Sequence, residues 1–363
     1  PWSKRGASTV RSIAAFRSSH HHNPMSPSPQ STAFSYASAS VAAAALLAAG
    51  AAGAGLAVVL QRTLLKYKPP KVWRPAQLSG KFGGINSHTA GPRSEAQLPK
   101  GIRALQLHSM ATPNGVKVTA LLEELVIRYG KVAEYDAYSV SILKGEQFTA
   151  GFVAANPNSK IPALLHYKDG LSKPPIRVFE SAAILVHLCE HFDTDNAFLP
   201  AIGDPLRAEC LSWIFWVQGS APYLGGGFGH FFAYAPTKQQ YPIDRFAMEI
   251  KRQLDVLERH LSGAEGSASS GGPYLCGEKY TAADICAFPW YGGLFAGIYP
   301  GAPEFLALEE YPSVAKWVKL VGERKAMKRG KMVNKFWGPE EEQLPERHGV
   351  DDFEKLEGEK KSA

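Results

Sequence analysis

The chain has 363 residues, of which 45% are hydrophobic, 11% aromatic and 20% charged. This balance is typical of a globular protein long enough for two domains, and it excludes a chain that is disordered throughout. The formal net charge is +7, but no acidic residue precedes Glu95, whereas 11 of the 40 Lys and Arg residues do. From Glu95 onward 29 basic residues stand against 33 acidic ones, a net charge of −4, so the basic character belongs to an N-terminal arm and indicates no nucleic-acid-binding surface.

The cysteines are too few for a disulfide framework, and none lies in a C-x-x-C pair or near a His at metal-ligand spacing. They are Cys189, Cys210, Cys276 and Cys286. We expect four buried, reduced thiols. The triplet at residues 20–22 (His-His-His) lies in a Ser- and Pro-rich stretch and is more typical of a solvated loop than of a metal site. The sequence therefore predicts no metal.

Residues 1–40 are rich in Ser, Ala and Arg and contain no acidic residue, which is typical of an organelle transit peptide or its remnant. Because the first residue is Pro and not Met, we expect either a processed chain or a fragment.

Residues 41–60 (VAAAALLAAGAAGAGLAVVL) carry no charge, and a helix of this length covers about 30 Å of hydrocarbon. They predict a single transmembrane helix; a targeting remnant or a buried helix is the alternative. Gly50, Gly53 and Gly55 favour close packing against lipid-embedded helices of other subunits. Five Lys and Arg residues follow between Arg62 and Arg74, and none occurs in the 20 residues before the segment. The positive-inside rule then places the body on the matrix or stromal side of a mitochondrial inner or plastid thylakoid membrane.

A connector (61–101) leads to a half with mixed elements (102–200). Predicted strands lie at residues 105–107, 133–140, 163–166 and 176–179, and predicted helices begin at Pro113 and at Glu180-Ser181. The order β-α-β-α-β-β-α is that of an α/β thioredoxin-like domain, and Pro162 lies where that fold has a cis proline.

The next half (201–337) is predicted to be all-α, with helices at residues 206–219, 243–261, 282–291 and 313–328. Thr281 and Asp284 form the pattern of a capping box at the third of these helices. Residues 262–273 predict a surface loop, and residues 338–363 a charged tail.

Six short motifs carry a family resemblance. They are ATPNG (111–115), GEQF (145–148), NPNSKIPAL (156–164), FESAAIL (179–185), WIFWVQGSAPYLGGGFGHFF (213–232) and YTAADI (280–285). Together they resemble the nu-class glutathione transferases, the bacterial glutathione-dependent disulfide-bond oxidoreductases. The resemblance implies a thioredoxin-like domain followed by an all-helical glutathione transferase C-terminal domain, glutathione as co-substrate, and a possible homodimer.

The N-terminus of the helix that begins at Pro113 is suited to lowering the pKa of a bound thiol, because a helix N-terminus offers unpaired N–H donors and partial positive charge. The resemblance implies that Thr112 and Asn114 stabilise the glutathione sulfur and are catalytic. The alternative is that Thr112 only caps the helix while Asn114 is solvated.

The resemblance also implies the remaining glutathione contacts. Ile161, before Pro162, would pair its backbone with the cysteinyl part; Glu180 and Ser181 would hold the γ-glutamyl end, with helix capping as the alternative. Gln147 and Arg245 match glutathione-binding positions of the family. Lys160 would neutralise the glycyl carboxylate, although an exposed lysine usually binds nothing specific. The glycine-rich run 225–229 lacks the Lys of a phosphate-binding loop and is interpreted as a loop at the mouth of the site.

Because no cysteine is a good redox nucleophile, we expect bound glutathione to supply the thiol, with two glutathiones or one glutathione disulfide in the cleft. The predicted function is a membrane-anchored glutathione-dependent disulfide reductase. The alternative is an accessory structural subunit of a respiratory or photosynthetic membrane complex that keeps a glutathione transferase fold, held to lipid and other subunits through residues 41–60.

Overall fold

The computed structural model describes residues 68–75, 80, 82–264, 271–354 and 356. The chain divides into two compact units, Pro1–Arg74 and Pro75–Ala363, and the elements below belong to the second. The predicted arm (1–40) and the predicted transmembrane helix (41–60) lie outside the described residues. Within the described ranges, no helix combines the length and apolar character needed to cross a bilayer.

A four-stranded mixed sheet forms the centre of the first half. Its strands are β1 (Leu105–Ser109), β2 (Tyr135–Ser139), β3 (Ala163–His166) and β4 (Ile176–Phe179), arranged in the order β2-β1-β3-β4. β1 is parallel to β2, whereas β3 is antiparallel to both β1 and β4. A parallel pair needs a crossover, which α1 (Pro113–Tyr129) provides between β1 and β2.

Two further helices, α2 (Ala150–Ala155) and α3 (Ser181–Phe192), complete this half and confirm the predicted order of elements. α1 begins at the predicted Pro113 and ends at Tyr129, before Gly130, which adopts a φ of 69°. It is buried on nearly every side because it contacts α3 and helices of the second half and shares one hydrophobic core with β1 and β2. Its burial explains why the apolar pattern in the sequence extends beyond a single face.

The second half is helical, as the sequence predicts. Its helices are α4 (Pro205–Pro222), α5 (Gln240–Ser262), α6 (Ala282–Phe295), α7 (Ala302–Phe305), α8 (Pro312–Gly322) and α9 (Lys325–Met332). The predicted capping box is present: the Thr281 hydroxyl accepts a hydrogen bond from Ala283 N, and the Asp284 carboxylate accepts one from Thr281 N at 2.9 Å. Residues 265–270 of the predicted surface loop lie outside the described residues.

Two boundaries in this half differ from the sequence prediction. The predicted loop around the glycine run is a π-helical segment, Tyr223–Tyr234, that continues α4. The predicted helix 313–328 is divided, because Arg324 has an extended backbone between α8 and α9. The Arg324 side chain bonds the Glu124 carboxylate at 2.6 Å and 3.0 Å, so a tertiary ion pair fixes the break that local propensity does not show.

The described part of the predicted charged tail is packed against the first half. Arg347 is fully buried and pairs through its backbone with Ala137 of β2. Its guanidinium bonds Glu123 at 3.0 Å and Glu134 at 2.9 Å. The side chain of Phe353 is also buried. Arg347 of this segment thus supplies the counter-ion for two buried carboxylates.

Candidate functional site

The strand register brings several predicted site residues to one end of the sheet. His108, near the end of β1, lies opposite Ala163, the first residue of β3. Ala163 in turn lies opposite the last residue of β4. Thr112 before α1, Pro162 before β3 and Ser181 at the start of α3 therefore lie at the same end of the sheet.

The start of α1 leaves one hydroxyl uncommitted. Thr112 is the N-cap residue, with a φ of −81° and a ψ of 165°, but its side chain makes no capping hydrogen bond. The first turn of α1 contains no acidic residue, so its partial positive charge is not neutralised locally. The geometry thus disfavours the alternative that Thr112 serves only as a cap, and the half-buried hydroxyl is available to an anionic sulfur.

Asn114 is fixed by a residue of the second half and is not merely solvated. Its Oδ1 accepts a hydrogen bond from Trp290 Nε1 of α6 at 3.0 Å. The Trp290 ring lies so close to Gly225 that a Cβ atom at Gly225 would come within 2.5 Å of it. Because the indole donates to Oδ1, the amide Nδ2 of Asn114 remains as a donor for a ligand. The sequence pattern singled out neither Trp290 nor this role for the glycine.

A buried lysine supports the site from behind. Lys117 on α1 has 0% exposed surface, and its Nζ lies 2.9 Å from Gln218 Oε1 and 3.4 Å from Ser181 Oγ. Burial lowers the pKa of Lys117, whereas Cys286 and Glu180 act to raise it. The Lys117 amine thus lies beside the N-terminus of α3. The available signal in the sequence was a lysine within the otherwise apolar helical stretch of α1.

Glu180 presents its carboxylate at the start of α3. Its φ is 70°, a left-handed conformation uncommon for a residue with a side chain, and that side chain makes no capping bond. The Oε2 atom accepts a hydrogen bond from Gln218 Nε2 at 3.4 Å. Burial lowers the pKa of Lys160, and Glu180 opposes that effect as it does at Lys117. The exposed carboxylate is therefore available to an ammonium group, and the contact of Glu180 with a γ-glutamyl end stays a prediction.

The Ile161–Pro162 peptide bond is cis, as the position of this proline predicts. β3 begins at Ala163, so the backbone N–H and C=O of Ile161 lie outside the strand ladder. Backbone N–H and C=O groups that are not paired with a neighbouring strand are suited to pairing with an extended peptide.

Two other predicted residues contact the connector. Gln147 is only 1% exposed, and its Nε2 donates to the Ile85 carbonyl oxygen at 3.3 Å. Lys160 Nζ donates to Asn86 Oδ1. Both side chains thus hold the connector against the first half, and their contacts with glutathione stay predictions. The sequence indicated only a linker at residues 61–101.

Arg245 and the glycine run lie in the second half. Arg245 is exposed on α5, and no contact recorded among the described residues links it to the end of the sheet; its binding role stays a prediction. Gly227 and Gly229 of the π-helical segment lie against aromatic rings, as Gly225 does: a Cβ atom at Gly227 would come within 2.5 Å of Phe246, and one at Gly229 within 2.3 Å of Tyr299. They permit close packing, so the predicted loop is corrected to a packed helical wall.

All four cysteines are buried, free thiols, as the sequence predicts. Burial raises the pKa of Cys189 and of Cys286. A hydrogen bond with Cys210, together with burial, raises the pKa of Cys276. The same hydrogen bond lowers the pKa of Cys210, but Cys210 has no exposed surface. Because buried thiols are out of reach of a disulfide, a thiol reaction at this site requires a thiol from the substrate side.

Comparisons with known proteins agree with this geometry. A family model described as the glutathione S-transferase C-terminal domain matches residues 240–320. The disulfide-bond oxidoreductase YghU of Escherichia coli is 48% identical over 289 residues, which cover 79% of this chain and 95% of that protein.

Solved structures similar to this chain are also glutathione transferases. A glutathione transferase YghU from Streptococcus pneumoniae, complexed with glutathione, is 49% identical with a TM-score of 0.66, covering 73% of this chain and 97% of that one. A Pseudomonas putida glutathione transferase with one glutathione disulfide bound per subunit is 32% identical with a TM-score of 0.53, covering 62% of this chain and 90% of that one.

Proposed function

Because the chain belongs to the glutathione transferase family, we propose that it is a glutathione-dependent disulfide-bond oxidoreductase in which bound glutathione supplies the attacking thiol. The observation that carries the proposal is the start of α1. There the Thr112 hydroxyl makes no capping hydrogen bond, the first helical turn contains no acidic residue, and Trp290 fixes the Asn114 amide by a hydrogen bond. All the described cysteines of the chain are buried. The relative named a disulfide-bond oxidoreductase supports the same reaction class.

The binding geometry follows from the residues at the end of the sheet. Ile161 offers backbone groups to the cysteinyl part of glutathione, while Ser181 and the N–H groups of α3 receive the γ-glutamyl carboxylate. Glu180 receives the ammonium group of the same end. The buried Lys117 adds positive charge behind Ser181, which strengthens binding of that carboxylate.

The reaction proceeds by two thiol–disulfide exchanges. The thiolate of one glutathione attacks a sulfur of the substrate disulfide, forming a glutathione–substrate mixed disulfide and releasing the other substrate thiol. A second glutathione thiolate attacks the glutathione sulfur of that mixed disulfide, forming glutathione disulfide and releasing the remaining substrate thiol. Two glutathiones are oxidised and one disulfide is reduced. Thr112 and the N-terminus of α1 hold the first thiol as its thiolate at neutral pH.

Turnover of a small disulfide with glutathione tests this function. We expect the variant with all four cysteines replaced by Ala to retain disulfide reductase activity, provided that it folds. For the unmodified protein, rapid alkylation of a reacting mixture followed by mass spectrometry should detect no disulfide between the chain and glutathione. Turnover that disappears in a folded Cys-free variant, or a trapped protein–glutathione disulfide on the pathway, would contradict the proposal.

We also propose that residues 41–60 anchor the protein in an organelle membrane with the body on the matrix or stromal side; this rests on the sequence alone. The protein should resist extraction by alkaline carbonate, and protease added outside intact inner membranes should leave the body uncut. Native electrophoresis of mildly solubilised membranes distinguishes a free enzyme from an accessory subunit, since only the latter comigrates with a stoichiometric complex.

A further inference from the structure

We propose that His166, His187 and His191 bind one divalent transition-metal ion, at a site separate from the glutathione site. His166 is the last residue of β3, and the other two lie one turn apart near the end of α3. Each can offer one ring nitrogen, and these three nitrogens all lie within 4.8 Å of one another.

The distances are close to those of a tetrahedral site. His166 Nδ1 and His187 Nε2 are 3.0 Å apart. Two nitrogen ligands that each lie about 2.0–2.1 Å from a tetrahedral ion are roughly 3.3 Å apart. The pair therefore has to separate by only a few tenths of an ångström, and the third nitrogen has to approach through side-chain rotation. His191 is exposed, so its ring has room to tilt towards the other two while Nδ1 stays beside the His187 carbonyl oxygen.

A backbone bond prepares His191 as a ligand. Its Nδ1 lies 2.9 Å from the carbonyl oxygen of His187, and that oxygen only accepts, so Nδ1 carries the proton. The lone pair is then on Nε2, which is the nitrogen left for an ion. Donation of the second ring nitrogen to a carbonyl is the usual arrangement around a metal-bound histidine.

The surroundings favour a cation of the zinc type. Three imidazoles suit zinc, copper, nickel or cobalt and not magnesium or calcium, which prefer oxygen ligands. The cluster lies at the C-terminal end of α3, where the helix dipole favours positive charge. With His191 exposed and His187 half-buried, a fourth position remains for water.

The placement indicates a structural role. Ser181, at the glutathione end of α3, is ten residues from His191, or about 15 Å along the helix. An ion at the far end would join β3 to the end of α3 without touching the reacting sulfur. The proposal thus departs from the expectation of no metal, and it does not depend on the proposed function. Spacing of His187 and His191 alone could not predict it, because the third ligand comes from a strand 21 residues earlier.

The test uses the full chain with His20, His21 and His22 each replaced by Gln, because these residues could bind metal themselves. After treatment with a chelator, titration with Zn²⁺ alone in a calorimeter should show one ion per chain. Co²⁺ alone should give the visible absorption bands of a four-coordinate ion. Adding His191→Gln, an exposed change that should leave the fold intact, should weaken Zn²⁺ binding by more than the roughly 10- to 100-fold cost of losing an outer-shell partner.

His348→Gln is the matched control, since His348 pairs with Asp136 and lies outside the cluster. It should keep the stoichiometry and affinity for Zn²⁺. The proposal is overturned if the starting variant binds no Zn²⁺ above background, or if His191→Gln binds it as tightly as the control does.

Discussion

Replacing Arg347 by Met tests whether the C-terminal segment is part of the folded core. The guanidinium bonds Glu123 at 3.0 Å and Glu134 at 2.9 Å and lies 3.8 Å above the Tyr135 ring, and Arg347 has 0% exposed surface. Removal of one partner of a buried ion pair costs about 3–5 kcal/mol, because the other charge is left uncompensated. Glu123 keeps a hydrogen bond from the Tyr135 hydroxyl at 2.8 Å, so we expect about 3 kcal/mol.

The expected shift in Tm follows from the size of the unit. An unfolding entropy of about 2.1 cal/mol/K per residue over roughly 290 residues gives about 0.6 kcal/mol/K. A loss of about 3 kcal/mol then lowers the Tm by about 5 °C, which calorimetry or circular dichroism measures directly.

A matched control is Arg259→Met, which removes an exposed pair with Asp255 on the same helix, four residues apart. Such pairs contribute about 0.3–0.5 kcal/mol, so the Tm should fall by less than about 1 °C. If Arg347→Met and Arg259→Met have equal small effects, the buried network is not what holds the segment and the reasoning is refuted.

Three further predictions concern the site and the sheet. Gly225→Ala should lower kcat/KM by roughly tenfold, because the new Cβ displaces Trp290 from its hydrogen bond with Asn114. Gly226→Ala should leave kcat/KM unchanged, because no atom lies within 4 Å of the new Cβ. Equal kcat/KM values for the two variants would refute the role of the indole. Lys117→Met should raise the Kd of glutathione by roughly tenfold or more in calorimetry, because a buried charge beside the carboxylate site is lost, and an unchanged Kd would contradict that placement. Burial lowers the pKa of His108 to about 4 from 6.5, so its contribution to stability is present above pH 6.5 and is lost as the pH falls towards 4. Urea titrations across this range should show a smaller acid-induced loss for His108→Phe than for the unmodified protein, by at most about 3 kcal/mol, and identical profiles would exclude His108 as the source.

Much of the first half could be predicted from sequence because its signals are local. Pro113 at a helix start, alternating apolar residues in β1 and the position of Pro162 each depend on a few neighbouring residues, and the structure confirms the elements that they predict. The break at Arg324 and the burial of Arg347 depend instead on Glu124 and Glu123, about 200 and 224 residues away in sequence. No local sequence pattern indicates partners that are this distant in sequence.

The candidate site likewise contains residues that local motifs indicate and residues that only the tertiary structure shows. The motif around Thr112 and Asn114 was visible, but the roles of Trp290 and Gly225 depend on contact between the two halves. No sequence motif singled out Lys117, and only the structure shows that its Nζ lies beside Gln218 and Ser181. The sequence thus singled out candidate ligand-binding residues, whose contacts stay a prediction, but not the residues that hold them in place.

The pKa of the thiol of enzyme-bound glutathione tests the central claim most directly, and thiolate absorbance in the ultraviolet measures it. We expect this pKa to lie below the value of about 8.5 for an unperturbed thiol, because Thr112 and the start of α1 stabilise the thiolate. Thr112→Val should raise it by about one unit or more, with kcat/KM falling roughly 10- to 100-fold, whereas Thr112→Ser, which keeps the hydroxyl, should restore both. A bound thiol with an unperturbed pKa, or one that Thr112→Val leaves unchanged, would contradict the account.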